Sequence, residues 1–539
     1  AVNVAKMSIL AEPLYPSDYQ FLHDSRFLLD MVAPVAVVEA VAGLVVLAVA
    51  TVVASRVMGR RHPRIRRADH PRGWAVLVGT RVVGIVVLTL LLSSALQFND
   101  PGNPWRRLYE RHGAIWEPFS QQMNYRTNGF VGGALYNMPS DPMPVPAGYS
   151  AETMAAIAQK YAARADARNA GLTAGALDDV NVVLVLSEAF ADFSRLKGVS
   201  LDHDTMALTR RTIADSWGGS TLANFYGTGT SSMEFEALTG QSLGLFNPQV
   251  SAPYQNFMSG MKSYPSAVGW FTDHGHQAIA VHPYHATFYR RNTVYPMLGF
   301  KDFVSEDTIA EKQKLENSNY ISDQSAFDEV EREIKDHDQP LLVNLVTMQN
   351  HVPTLDWYDD PVPVEAPGSA EALKGMGGYA RGQEYTDKAL QRFLGDLEAG
   401  GEPTVVVFYG DHYPATLSDE VLAANPGLDH LQTPMFIWSS EGQQPRALPV
   451  TSPTAFLPYV FDLVGEPLPP YYELLSEVAQ KIGAVGEGTI VAPDGEAVTE
   501  ADLTPAQQRL LHDYRLVQYD FSIGKRYAVG PMYYPMGDS

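Results

Sequence analysis

The sequence of 539 residues contains no cysteine. It can therefore form no disulfide bond and offers no thiolate ligand, so any bound metal must be held by oxygen and imidazole groups. Basic residues are also few, since 39 lysines and arginines stand against 61 acidic residues, and the formal net charge is -22. A general nucleic-acid binder needs clustered basic side chains to contact the phosphate backbone. We therefore expect no nucleic-acid partner.

Apolar residues are concentrated near the start of the chain, in two runs over 31–54 and 74–98. About 20 apolar residues suffice to cross the hydrocarbon core of a bilayer. Arg81 in the second run can extend to the interface, and Trp74 suits the headgroup level. The loop between the runs, 55–73, is rich in arginine, which predicts a cytoplasmic position by the positive-inside rule. The alternative is a pair of buried helices in a soluble protein with a basic loop.

This pattern predicts a multi-pass protein of the plasma (inner) membrane, with the lipid bilayer as a partner. The cytoplasmic loop places the chain after residue 98 on the extracytoplasmic side, and it places residues 11–20 there too, so we expect further spans upstream. We divide the chain into a transmembrane region (1–98), a juxtamembrane linker with interfacial helices (99–150), an extracytoplasmic catalytic domain (151–448) and a C-terminal extension of that domain (449–539).

Beyond the proline-rich stretch at 139–147, short apolar runs alternate with helical patterns. Strands are predicted over 180–186, 278–282, 340–347, 403–409 and 434–438, and helices over 151–170, 321–335 and 379–399. Such alternation is typical of an α/β fold with a mainly parallel sheet flanked by helices. In these folds the chemistry collects at the carboxyl ends of the strands.

Carboxylate and imidazole side chains follow several of the predicted strands. Glu188 ends an apolar run, and the pair Asp411 and His412 ends another. A carboxylate at the end of a buried strand is costly unless a cation compensates it, which favours a metal site built from these three residues. The alternatives are a helix-capping acid at Glu188 and an ordinary turn at the pair.

Thr230 lies in the glycine- and serine-rich segment 226–235. No histidine stands beside it and no Gly-x-Ser-x-Gly elbow occurs there, so activation by a bound metal is the more suitable mechanism. We interpret Thr230 as a metal-activated nucleophile toward phosphorus or sulfur esters. The alternative is a surface loop whose Thr228, Ser231 and Ser232 cap a helix.

Histidine and arginine side chains further along could contact a substrate. His282 and His285 precede the basic pair that ends at Arg291, and His351 follows a later strand. Arginine can make two charge-assisted bonds to a phosphate, and histidine can protonate a leaving alkoxide. Together these residues are consistent with a phosphoryl pocket.

Taken in this order, the motifs resemble the lipoteichoic acid synthase family, which are membrane phosphoglycerol transferases of the alkaline phosphatase and sulfatase superfamily. The likeness is carried by segments 12–18, 124–130, 181–190, 229–240, 282–284, 289–300, 347–351, 409–412 and 433–438. Each segment is short, but the set as a whole is specific to this family.

The resemblance implies a sulfatase-like sheet and one Mn²⁺ ion, with Mg²⁺ or Zn²⁺ as substitutes. The implied metal ligands are Glu188, Thr230, Asp411 and His412, with Thr230 also the covalent nucleophile. The implied substrate pocket is His282, Tyr289, Arg291 and His351. Tyr289 stands where the best-studied members have tryptophan, and Gly229 replaces the family's usual basic residue.

The reaction implied is transfer of phosphoglycerol from phosphatidylglycerol through Thr230 to an envelope polymer or glycan acceptor, with release of diacylglycerol. His351 or His282 would move the protons. Two alternatives are a phosphoethanolamine transferase or a phosphodiesterase of the same superfamily. A third is a catalytically inactive scaffold for envelope assembly. A sulfatase is disfavoured, because Thr230 is not a cysteine or serine followed by proline and arginine at the required spacing.

Overall fold

The computed structural model describes residues 71–534, apart from 101, 117–120, 139–140, 249 and 487, together with residues 3, 13, 14, 16, 49, 50, 52, 53 and 56. The chain divides into two compact units, Ala1–Asp141 and Pro142–Ser539. The predicted first span and the predicted cytoplasmic loop lie largely outside the described residues, so both stay predictions.

Three helices with defined bounds belong to the first unit in the described range 71–141: α1 (Pro71–Leu96), α2 (Pro104–Arg111) and α3 (Gln121–Tyr136). Helix α1 coincides with the second predicted span. Within the described residues it is the one helix that is long and apolar enough to cross a membrane. Its aliphatic side chains are largely exposed, as lipid contact would require. The multi-pass topology is still a prediction.

The segment after α1 fixes the two following helices within the same unit. Asn103 accepts the backbone N–H groups of Trp105 and Arg106, and so caps the start of α2. The Asn99 side-chain amide donates to the carbonyls that end α3. Phe98 is buried between the rings of two tyrosines. Residues 104–111 and 121–136 are therefore helical, and the position of this region beside a membrane stays a prediction.

The second unit contains the remaining elements. Its helices are α4 (Ala151–Arg168), α5 (Ala207–Asp215), α6 (Thr230–Thr239), α7 (Pro253–Asn256), α8 (Ala267–Asp273), α9 (Arg291–Leu298), α10 (Asp323–Asp336), α11 (Ala370–Gly400), α12 (Asp419–Ala424), α13 (Phe456–Val464), α14 (Pro470–Lys481), α15 (Pro505–Ser522) and α16 (Val529–Met532). Its strands are β1 (Asn181–Ser187), β2 (Ser200–Leu201), β3 (Trp217–Leu222), β4 (Gln277–His282), β5 (Asp302–Ser305), β6 (Leu341–Val346), β7 (Val364–Glu365), β8 (Thr404–Gly410), β9 (Gln432–Ser439), β10 (Arg446–Ala447), β11 (Ala484–Gly486), β12 (Thr489–Val491) and β13 (Ala497–Val498).

An eight-stranded sheet with the order β10-β3-β9-β8-β1-β6-β4-β5 forms the centre of this unit. Neighbouring strands from β8 to β5 are parallel, and β9 is antiparallel to both β8 and β3. The strands β1, β4, β6 and β8 therefore all end at one edge of the sheet. The mainly parallel α/β fold is confirmed, and only β9 runs in the opposite direction.

Every residue of β1, β6 and β8 is buried, which explains why their sequences are almost continuously apolar. On one face, Val183 and Val185 belong to a core that includes Phe327 of α10 and Phe393 of α11, whose rings stack. This core covers the sheet with helices. The central strands are thereby held rigidly, so the residues that follow them have defined positions.

Residues after 448 pack within the same compact unit as the sheet. Lys160, Arg164 and Arg168 of α4 make ion pairs with acidic residues of α13, α14 and α15. The hydroxyls of Tyr471 and Tyr514 donate to the carbonyls of residues 239 and 240, at the end of α6. The C-terminal segment therefore anchors the helix that begins with Thr230.

Gly410 lies at the end of β8, where the backbone of another segment packs closely against it. An added Cβ there would collide with the backbone carbonyl oxygen of Phe190, which cannot move aside as a side-chain end could. We expect Gly410→Ala to destabilise the protein by about 1–3 kcal/mol or more, seen as a lower Tm of the purified full chain. Gly395→Ala in α11 is the matched control, because its Cβ meets nothing within 4 Å and alanine favours a helix. Equal Tm values for the two variants would contradict this account.

Candidate active site

The neighbouring strands β1 and β8 bring three ionisable residues together. Ser187 is in register with Gly410, so Glu188 and Asp411 follow directly at the same edge of the sheet. Glu188, Asp411 and His412 are buried, and each has a ligand atom within 4.8 Å of the others. The structure therefore places three of the predicted metal ligands in one cluster.

Backbone groups orient this cluster. Asp411 Oδ1 accepts the N–H groups of Ala189 (2.7 Å) and His412 (2.8 Å). His412 Nδ1 lies 2.9 Å from the Tyr413 carbonyl oxygen, to which it can donate. His412 Nε2 then faces the carboxylates, 3.3 Å from Asp411 Oδ2 and 3.8 Å from Glu188 Oε1. A hydrogen bond from the second ring nitrogen is the usual way in which proteins orient a metal-ligating histidine.

The electrostatics of the cluster favour a cation. Burial and the neighbouring Asp411 raise the pKa of Glu188 to about 8. Asp411 Oδ2 is buried without a hydrogen-bond partner among the described residues. An unpaired buried carboxylate oxygen is costly, and a divalent ion beside it would remove that cost. Two carboxylates and an imidazole nitrogen are suitable ligands for such an ion.

Thr230 reaches the cluster as the first residue of α6. Gly229 before it has φ +107°, a left-handed conformation that glycine adopts without strain and that turns the chain into the helix. The Thr230 hydroxyl is buried and donates to Glu188 Oε2 over 3.3 Å. The predicted nucleophile thus stands beside the predicted ligands, and the surface-loop alternative is wrong for this residue.

Three of the predicted substrate residues, His282, Tyr289 and Arg291, are buried. Arg291 is fully buried, and its guanidinium lies 5.2 Å from the centre of the Tyr289 ring. Burial and the Glu188 carboxylate raise the pKa of Tyr289, and a hydrogen bond with the Thr230 hydroxyl lowers it. Tyr289 and Arg290 have positive φ values of 55° and 60°. Strained backbone of this kind is often found at functional sites.

His282 ends β4 and uses both ring nitrogens in hydrogen bonds. Nδ1 lies 2.9 Å from the Val346 carbonyl, and Nε2 lies 3.2 Å from Arg291 Nη1. The carbonyl must accept and the guanidinium must donate, so the imidazole is neutral with its proton on Nδ1. Burial and Arg291 both lower the pKa of His282 well below its usual value. This arrangement favours an orienting role over proton transfer.

His351 is only half-buried, and its hydrogen bonds within the described residues involve Nδ1 alone. Its Nδ1 lies 2.8 Å from the Val352 carbonyl and 3.2 Å from the Tyr320 hydroxyl. Burial lowers its pKa, so it is mainly neutral near pH 7 and can exchange a proton. His285 is instead exposed and paired with Glu306, which places it outside this group.

Glu234 also belongs to this region, although no motif in the sequence points to it. It lies one helical turn after Thr230, is completely buried, and forms an ion pair with Arg291 over 2.8 Å. A possible signal was its spacing of four residues from Thr230 in a helix whose residues are all buried. No sequence pattern identified its partner, which lies 57 residues further along the chain.

The parallel sheet, the acidic cluster and the adjoining hydroxyl define an α/β enzyme core with a candidate metal centre at the strand ends. The Sulfatase family model matches residues 180–466, more than half of the chain, and the chain belongs to this family. The place in the alkaline phosphatase superfamily that the motifs indicated is confirmed.

Three relatives are informative. A "Putative cyclic beta-1,2-glucan modification protein" of Rhizobium meliloti is 28% identical over 547 residues, covering 98% of this chain and 81% of that protein. Lipoteichoic acid synthase of Staphylococcus aureus is 28% identical over 142 residues, covering 26% of this chain and 21% of that protein. The structure of the Streptococcus pyogenes phosphoglycerol transferase GacH in complex with sn-glycerol-1-phosphate has a TM-score of 0.64 and 28% identity, covering 72% of this chain and 98% of that one.

The acidic cluster predicts binding of one divalent cation per chain. We expect isothermal titration of the purified protein with Mn²⁺ to show a single site, and Asp411→Asn to weaken it at least about tenfold, because a charged ligand is lost. Asp387→Asn is the matched control, since Asp387 is a buried carboxylate that accepts N–H groups of residues 208 and 209. Equal Mn²⁺ affinity in wild type and Asp411→Asn would remove Asp411 from the site.

Proposed function

We propose that this protein is a phosphoglycerol transferase that takes its group from phosphatidylglycerol and passes it to an envelope polymer or glycan. The observation that carries the proposal is the Thr230 hydroxyl, hydrogen-bonded to Glu188 inside the cluster with Asp411 and His412. A hydroxyl beside a metal centre is suited to attack on a phosphodiester. The likeness to GacH, which was solved with glycerol phosphate, supports phosphoglycerol as the transferred group.

The proposed site holds one divalent ion, for which we propose Mn²⁺. Its ligands are Glu188, Asp411, His412 and Thr230. When bound, such an ion lowers the pKa of the adjacent hydroxyl and stabilises negative charge on phosphoryl oxygens. The chain supplies the remaining functions. Arg291 and Tyr289 line the side of Thr230 on which the headgroup would bind.

In the first step the deprotonated Thr230 oxygen forms a bond to phosphorus while the bond from phosphorus to the diacylglycerol oxygen breaks. We assign the proton of the leaving alkoxide to the protonated form of His351, which donates it from Nε2, because Nδ1 is hydrogen-bonded to the Val352 carbonyl. In the second step an acceptor hydroxyl gives its proton to His351 and displaces Thr230. His282, with both nitrogens engaged, orients Arg291.

The acceptor is a glycan hydroxyl in this proposal. The relative from Rhizobium meliloti, which aligns with nearly the whole chain, is named for modification of a cyclic beta-1,2-glucan. We propose that the enzyme is multi-pass in the plasma membrane with its second unit on the extracytoplasmic side, where both lipid donor and glycan are accessible. Helix α1 supports the membrane attachment.

Membership of the sulfatase family does not make the protein a sulfatase. Thr230 is followed by Ser-Ser-Met-Glu, so this segment has no cysteine or serine followed by proline and arginine at the spacing that sulfatases require. A threonine nucleophile suits phosphorus esters.

The decisive experiment offers the purified protein, with Mn²⁺, phosphatidylglycerol labelled in its glycerol headgroup and, separately, labelled phosphatidylethanolamine. We expect diacylglycerol and label on an added glucan from the first lipid only. Release from phosphatidylethanolamine alone would make the protein a phosphoethanolamine transferase. Lack of turnover with either lipid in the metal-loaded protein would favour the scaffold alternative.

Thr230→Ala tests the nucleophile. We expect loss of at least about 10³-fold in kcat, because the covalent step is removed, with Tm and fold retained. The matched control is Ser231→Ala, since the neighbouring hydroxyl is also buried but has no hydrogen-bond partner among the described residues. Full activity in Thr230→Ala would exclude Thr230 from the mechanism.

A further inference from the structure

Glu234 faces the substrate pocket rather than the metal cluster. Its Oε2 accepts Arg291 Nε (3.1 Å) and Nη2 (2.8 Å). Its Oε1 accepts the Tyr295 hydroxyl (2.6 Å) and the Asn344 side-chain amide (2.9 Å). Four donors from α9 and β6 thus satisfy one buried carboxylate. A buried charge with this many partners is well compensated, and it fixes the groups that donate to it.

This pairing decides which edge of Arg291 is available. Two neighbouring N–H groups form the edge with which arginine usually makes a bidentate contact to a phosphate. Here Glu234 occupies that edge, and the remaining nitrogen, Nη1, points to His282. His282 in turn reaches the Val346 carbonyl at the end of β6. A continuous hydrogen-bonded chain therefore leads from α6 through Arg291 to the end of the sheet.

We propose that Glu234 is a positioning residue for the headgroup pocket, which it builds by holding Arg291 and, through it, His282 at a set distance from Thr230. The inference rests on the proposed function. Because Glu234 and Thr230 lie one turn apart on α6, the helix that positions the nucleophile also positions the pocket. Arg291 then keeps two of its five N–H groups for the headgroup, with its charge already paired, which suits a glycerol hydroxyl better than a phosphate.

The test is Glu234→Gln, which keeps the shape of the side chain but removes the charge that orients Arg291. We expect KM for phosphatidylglycerol to rise at least about tenfold, with a smaller change in kcat, because pocket contacts and not the nucleophile are lost. We also expect glycerol phosphate to raise the Tm of the wild-type protein but not that of Glu234→Gln. Glu234→Asp is a second variant for the case in which Glu234→Gln does not fold, because it retains the buried charge. We expect it to weaken glycerol phosphate binding, because the shorter side chain displaces Arg291.

Glu236→Gln is the matched control on the same helix. Glu236 is equally buried, but it accepts the backbone N–H of Leu243 over 2.7 Å and not an arginine. We expect this variant to lose stability while it keeps KM and glycerol phosphate binding. Wild-type KM and wild-type glycerol phosphate binding in folded Glu234→Gln or Glu234→Asp would overturn the proposal, and so would equal changes in KM for Glu234→Gln and Glu236→Gln.

Hydrolysis of bis(p-nitrophenyl) phosphate separates this inference from the proposed function. This diester contains no glycerol, so it reports the nucleophile independently of the natural donor. If the wild-type protein cleaves it but releases no diacylglycerol from phosphatidylglycerol, the donor assignment is wrong. The role of Glu234 is then decided in the same assay by inhibition with glycerol phosphate, which Glu234→Gln should weaken and Glu236→Gln should not.

Discussion

The burial of two carboxylates and an imidazole at one edge of the sheet is the constraint on which the rest of the structure depends. Glu188, Asp411 and His412 are buried, and their ligand atoms lie within 4.8 Å of one another. Such a cluster is costly without backbone donors and a cation to offset its charge. The register of β1 with β8 places the residues, the backbone N–H groups of 189 and 412 orient them, and the tight approach at Gly410 keeps the two strand ends together.

Helix α6 links this cluster to a second buried charge. Its first residue, Thr230, contacts Glu188, and one turn later Glu234 holds Arg291. Its far end is held by tyrosine hydroxyls from α14 and α15. The C-terminal residues lie outside the motifs that carry the family resemblance. They nevertheless contribute to the site, because they fix the helix that carries its proposed nucleophile. Loss of the two tyrosine hydrogen bonds would therefore displace both Thr230 and Glu234.

The fold class and the acidic cluster could be predicted from the sequence, because charged and imidazole side chains directly follow apolar strands. Glu188 and Asp411 stand directly after buried strands, and the parallel alternation of elements implies that strand ends meet. The contacts of Arg291 could not be predicted. Its basic neighbourhood indicated a phosphate contact, but the sheet and α6 bring a carboxylate to the same edge of the guanidinium. The two hydrogen bonds of His282 were equally hidden, since Val346 belongs to another strand.

By itself, the sequence determined the fold class, because hydrophobic periodicity depends only on residue type and order, and its motifs predicted the acidic cluster and the threonine beside it. Tertiary structure decided the direction of β9, the pairing of Glu234 with Arg291 and the tautomer of His282. These features depend on which distant groups come within hydrogen-bond distance after the sheet has formed. Such distances follow from packing, and no local pattern of residues records them.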